Sequence, residues 1–247
     1  MLAEKPWKLD AVLRLFLGVA TTVCLGALLA GLLGHLTASW PKGQSDFWQI
    51  VMSAFFLEIP AVAWIALFLR QHEVNWKDAF GWEMCEPATA AAYGVLAAML
   101  FLPAAWGLQM LSEYVMNLVD LNPQEQAAVQ ELQDPSLTFA EKALIGLIAV
   151  VFAPIVEEAL FRGILYPALK RLGRPRLALW GSSALFAAVH FNMVTFLPLM
   201  VFALVLVYLY ETFQNLLAPV VAHALFNAAN FSILIFKDQI AQVLHMT

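Results

Sequence analysis

Long, continuous apolar runs separated by short polar clusters set the pattern of this chain. A helix that crosses a bilayer needs roughly 20 such residues in succession. Seven segments meet that need: about 12–36, 47–70, 88–112, 140–168, 176–193, 195–211 and 215–236. The runs lack the alternation over about ten residues that marks a transmembrane barrel strand. The pattern therefore predicts an all-α, polytopic transmembrane bundle of about seven to eight helices. The fifth to seventh segments are short and closely spaced. Phe191-Asn192-Met193-Val194 leaves room for only a tight turn between the fifth and the sixth.

Composition strengthens this reading. Hydrophobic residues make up 62% of the 247 and charged residues 13%, whereas a soluble domain is about half apolar and a quarter charged. That excludes a disordered chain, a nucleic-acid-binding domain, a coiled coil and an ordinary soluble enzyme. Cys24 and Cys85 are too few for a disulfide framework and form no metal-binding pair. The chain reads as one integral membrane domain over 1–247, with three N-terminal spans in 1–112, an acidic connection over 113–139 and four spans over 140–236. The first apolar run is too long for a signal-peptide core and is expected to be retained as a span.

Charge placement supplies an orientation. Lys5, Lys8, Arg14, Arg70, Lys77, Lys170, Arg171, Arg174 and Arg176 fall on one predicted side, nine of the 13 basic residues. Lys42, Lys142 and Lys237 fall on the other. By the positive-inside rule the N-terminus is expected in the cytoplasm and, with seven spans, the C-terminus outside. The membrane would be the plasma or inner membrane in a bacterium. The acidic connection carries Glu113, Asp120, Glu125, Glu131 and Asp134, with a helix-compatible piece from Gln124 to Gln133 between two prolines. A solvated loop explains it, and a lid is the functional alternative. The small residues of 88–98 favour close helix packing. Trp7, Trp40, Trp48, Trp76, Trp82 and Tyr114 lie near span ends, where interfacial aromatics collect.

An ionisable group at membrane depth costs on the order of 2.5–3.5 kcal/mol, so the exceptions carry the information. The fourth segment holds Glu157, Glu158 and Arg162 within six residues. Glu158 and Arg162 are four apart, share a helix face and can pair. Glu157 is turned about 100° away and has no cation from its own helix. A carboxylate without a partner in apolar surroundings holds its proton more tightly, which is how a general base near neutral pH is made. A buried polar knot that merely fixes packing is the alternative. On the fifth segment Phe186 and His190 are also four apart. With the connecting turn at about Leu172, Glu157 and His190 differ in height by roughly 5 Å, at about 1.5 Å per residue. The seventh segment carries His223, Asn227 and Asn230 as one polar stripe, which serves as interhelical glue or as donors to a developing oxyanion. Glu58, before Pro60, ranks lower as a structural or transport carboxylate.

Glu157-Glu158-x-x-x-Arg162, Phe186-x-x-x-His190 and His223-x-x-x-Asn227, in this order on separate helices, resemble the CPBP family of intramembrane proteases. That family includes the eukaryotic CAAX prenyl endopeptidases and bacterial relatives linked to bacteriocin processing or self-immunity. The resemblance covers about 140–236, and the first three spans match only as generic membrane helices. It implies an intramembrane endopeptidase in which Glu157 activates water with help from His190. His223 and Asn227 would stabilise the oxyanion, Glu158 and Arg162 would hold the site together, and Phe186 would shape its wall. It implies a metal-free, glutamate-dependent mechanism with no cofactor, with zinc held by Glu157, His190 and His223 as the alternative. The implied partners are membrane lipids and a protein or peptide substrate, lipidated in the prenyl-processing branch, and no nucleic acid. Two other readings use the same residues: a non-proteolytic immunity or scaffold protein, and a proton-coupled transporter with Glu157, Glu158 and Arg162 as a relay.

Overall fold

In a bilayer every backbone N–H and C=O must be satisfied within the protein, and the helix does this within a single segment. The computed structural model describes residues 5–36, 42–121, 129 and 132–236, and eight helices and no strand occur among them. They are α1 (Leu9–Leu36), α2 (Lys42–Gln71), the short α3 (Trp76–Phe80) and α4 (Pro87–Leu118). A long α5 (Phe139–Lys170) follows, then α6 (Pro175–Ala188), α7 (Met193–Phe213) and α8 (Leu217–Ile235). Six of these, α1, α2, α4, α5, α7 and α8, are long and apolar enough to cross a membrane. The protein is thus a multi-pass membrane protein built as a helical bundle.

The ends of the helices follow from local chemistry. Thr138 and Glu141 form a reciprocal capping box that starts α5. Pro87 and Pro175 stand in the first turns of α4 and α6, where a missing N–H costs nothing. Asn192 caps α7 by accepting from the Thr195 N–H at 3.0 Å. Gly81, with φ of 70°, closes α3 in the left-handed region.

The fifth predicted segment needs correction. Residues 176–193 were expected to span, but α6 has 14 residues. That is about 21 Å of helix against a hydrocarbon core of about 30 Å. Its helix ends because Phe191 adopts a left-handed φ of 50° and Asn192 is already the cap of α7. The acidic connection expected over 113–139 begins later, because α4 runs on to Leu118, and most of the helix-compatible piece expected from Gln124 to Gln133 lies outside the described residues.

Four connecting pieces meet at one end of the bundle. Lys5 Nζ donates to the Asp78 carbonyl at 2.6 Å, and Trp7 Nε1 donates to the Gly163 carbonyl at 3.0 Å. The Leu216 N–H donates to the Phe80 carbonyl at 2.9 Å. Asn215 Nδ2 reaches the Trp82 and Cys85 carbonyls. Tyr166 Oη and Lys170 Nζ both donate to Glu211 Oε1. The N-terminal segment, the α2–α4 connection, the α5–α6 turn and the α7–α8 turn therefore share a face. Trp7 is 1% exposed, so it is a buried anchor there rather than the interfacial aromatic its position suggested. At Gly94 a Cβ would meet the Ala218 carbonyl at 2.5 Å, which shows how closely the small-residue stretch of α4 approaches α8.

Candidate active site

The site is built on α5, and α5 is not a uniform α-helix. Ile148–Phe152 and Ala159–Leu165 wind as π segments, with the α-turn Ala153–Glu158 between them. Such bulges gather at functional sites. Two prolines account for them here. The Ala153 N–H bonds back to the Ile148 carbonyl, five residues earlier, and Pro154 has no N–H to offer. Nothing in the helix backbone is then left for the Ala149 carbonyl. Asn227 Nδ2 on α8 donates to it at 2.8 Å. The turn that carries both glutamates is thus pinned from across the bundle.

Glu157 and Glu158 are neighbours with opposite surroundings. Glu158 is fully buried, and its Oε1 accepts from Arg162 Nη1 at 2.9 Å and from His223 Nδ1 at 2.8 Å. Arg162, 1% exposed, also lies over the Phe186 ring, its Cζ 4.2 Å from the ring centroid. The guanidinium Nη2 reaches the Ala203 carbonyl at 3.4 Å. This buried ion pair is the i, i+4 contact the spacing predicted. It neutralises one carboxylate and leaves the other free.

The side chain of Glu157 is 26% exposed, and its Oε2 has no hydrogen-bond partner among the described residues. His190 Nε2 lies 4.0 Å from it and His223 Nε2 lies 3.9 Å from it. The outer nitrogen of each ring is already used. His190 Nδ1 is 2.8 Å from the Phe186 carbonyl, an atom that only accepts, so Nδ1 carries the proton and Nε2 of the neutral ring presents its lone pair to Glu157. His223 Nδ1 is committed to Glu158 in the same manner. Phe186, fully buried, touches both rings, with centroids 5.0 Å from His190 and 5.7 Å from His223. It is the wall between them.

Glu157, His190 and His223 are the kinds of donor that zinc takes, and rings held by their outer nitrogen suit ligation. Among the described residues, however, no three His, Cys, Asp or Glu side chains stand close enough to hold an ion.

Two features escaped sequence reasoning. Asn227, expected to aim at an oxyanion, has its amide engaged with the Ala149 carbonyl, and a second N–H remains on the same nitrogen. The signal was Pro154, four residues before the motif carboxylate pair closes. Glu58 of α2 stands near enough for the charge of Glu157 to act on it, and its buried Oε2 has no partner among the described residues. A lone mid-span carboxylate was the signal. Asn230 behaves as glue: it accepts from Trp106 Nε1 at 3.3 Å and donates to the Phe226 carbonyl.

Residues 139–229 match a family model described as type II CAAX prenyl endopeptidase Rce1-like. The matched stretch runs from the start of α5 to the last turns of α8 and contains Glu157, Glu158, Arg162, Phe186, His190, His223 and Asn227. The likeness read from the motifs is to this same family. For this stretch the match supports a CAAX-type intramembrane protease in general terms. No curated protein and no solved structure matches the chain.

Proposed function

We propose that the protein is an intramembrane endopeptidase in which Glu157 is the general base. The observation that carries the reading is the placing of Glu157 Oε2 about equally far, 4.0 and 3.9 Å, from two imidazole nitrogens. That spacing is too long for a direct hydrogen bond and short enough for one water to bond both partners. Glu157 and the Nε2 lone pair of His190 would hold a water between them. Glu157 takes its proton as the oxygen attacks the peptide carbonyl carbon. The carbonyl oxygen becomes an oxyanion and is met by donors from α8: the remaining N–H of Asn227, and Nε2–H of His223 in its doubly protonated form. When the tetrahedral intermediate collapses, the C–N bond breaks and Glu157 returns the proton to the leaving amine. Glu158 and Arg162 hold His223 in place, and Phe186 keeps the two rings apart. The substrate is a membrane-associated protein tail or peptide, and lipidated tails are the first class to test.

The test is cleavage of a fluorogenic peptide panel, with and without a lipid chain, by purified protein. Wild type is expected to cleave, Glu157→Gln and His190→Ala to fail, and a strong chelator to have no effect. Retained cleavage in Glu157→Gln would sink the assignment. Cleavage lost to the chelator and restored by zinc would turn the same residues into a metal site. Glu58, whose buried Oε2 has no partner among the described residues and on which the charge of Glu157 acts, favours a second reading, a proton relay that uses both carboxylates. Proton-linked uptake in proteoliposomes, abolished in Glu58→Gln, would support that reading instead.

A further inference from the structure

The second π segment of α5 is also capped from afar, by a residue outside the family match. The Tyr166 N–H bonds back to the Phe161 carbonyl. The next residue is Pro167, so the backbone donor that would reach the Gly163 carbonyl in an α-helix does not exist. A buried carbonyl left in that state costs as much as a lost hydrogen bond. Gly163 accepts instead from the indole Nε1–H of Trp7 at 3.0 Å. The Trp7 ring is held in turn by Phe68 and His72, with centroids at 5.1 and 5.3 Å. Phe80 also closes on Gly163, so tightly that a Cβ there would lie 2.4 Å from its ring. The residue just before this gripped peptide is Arg162.

We infer that Trp7 is a positioning residue of the site: by capping the Gly163 carbonyl it steadies the turn of α5 that carries Arg162 and, through the Arg162–Glu158 pair, fixes the His223 ring. Loss of the cap strands the Gly163 carbonyl, because with Pro167 in place α winding offers it no donor either, and the segment that carries Arg162 loosens against Glu158. The kinetic consequence rests on the proteolytic reading above; the structural one does not.

The test uses the full chain in lipid nanodiscs. Trp7→Phe keeps an aromatic ring and removes the donor. It is expected to lower kcat roughly tenfold with KM unchanged, the size expected for one buried acceptor left unsatisfied. Amide hydrogen exchange over 159–166 should quicken, while exchange over 139–147 should not. Pro167→Ala restores a backbone N–H beneath the Gly163 carbonyl. In the double variant kcat and protection should return to within about twofold of Pro167→Ala alone, as for a coupled pair. A role in packing alone would not be rescued from residue 167. Unchanged exchange over 159–166 in Trp7→Phe, or a double variant no better than Trp7→Phe, would overturn the inference. Should Trp7→Phe not fold, benzothienylalanine at position 7 replaces the N–H by sulfur and keeps the shape. If the wild type cleaves no peptide, the proteolytic reading fails, and the exchange measurements still decide the cap.

Discussion

The α1–α2 pair and α5 are equally apolar over their most hydrophobic stretches, yet they occupy different worlds. In α5, 44% of that stretch is buried inside the protein; in α2 the share is 11%. Leu17, Leu28 and Leu32 of α1 and Phe55 and Ile59 of α2 face outward. In α5 every residue from Glu158 to Ala168 is buried. Hydropathy measures how well a helix tolerates lipid, and lipid and a packed interior are equally apolar. What separates the two regions is the residues that lipid does not tolerate. Glu158 and Arg162 need each other, and Pro154 and Pro167 free carbonyls that need donors. Only a helix surrounded by other helices can meet those needs. The low-cost helices then pack around it: Gly26 of α1, where a Cβ would sit 2.3 Å from Phe56 Cβ, lets α2 close on its neighbour.

The comparison can be broken from the core outward. Glu157→Gln is the largest expected effect: cleavage falls by about 10²–10⁴, the usual worth of a positioned general base, while the unfolding temperature in detergent holds. Arg162→Leu strands the buried Glu158 carboxylate and should cost about 3–5 kcal/mol of stability, read by denaturant or thermal unfolding; a neutral result would mean that the pair is solvated. Asn227→Leu leaves the Ala149 carbonyl without a donor and should cost about 1–3 kcal/mol. Hydrogen exchange should localise that loss to the first π segment of α5.

The matching change in the other region should do little. Leu28→Ala on α1, 71% exposed, is expected to stay within about 0.5 kcal/mol, and a larger loss would show that this face has a protein partner. The exposed Asp10–Arg14 pair, at 3.0 Å, is the weakest test. Asp10→Asn should change stability by no more than about 0.3 kcal/mol at low salt, and by less as salt is raised.

Much of the site could be read along the chain because its contacts are local in helix phase. Glu158 and Arg162 are one turn apart, and so are Phe186 and His190. Matching Glu157 with His190 needed only the hairpin between α5 and α6, since both are counted from the same turn. Reading stopped where partners come from distant segments. Phase arguments assume one winding, and a π segment breaks that assumption locally. Trp7 looked interfacial because its sequence neighbours are polar, although the peptide it serves is far along the chain. Glu58 ranked low because nothing in its own helix relates it to Glu157.

The sequence by itself determined that the chain crosses a membrane in helices, which one of them carries the charged cluster, and which side chains share a face. Length, hydropathy and helical spacing are properties of single segments, and they act before any packing. Tertiary structure alone decided that α6 stops short of spanning, that Asn227 and Trp7 supply the donors two prolines withhold, and that Glu157 stands between two rings while Glu158 is spent on an arginine. Each of these is a choice among partners for a polar group that cannot reach water. That choice exists only once distant helices stand side by side.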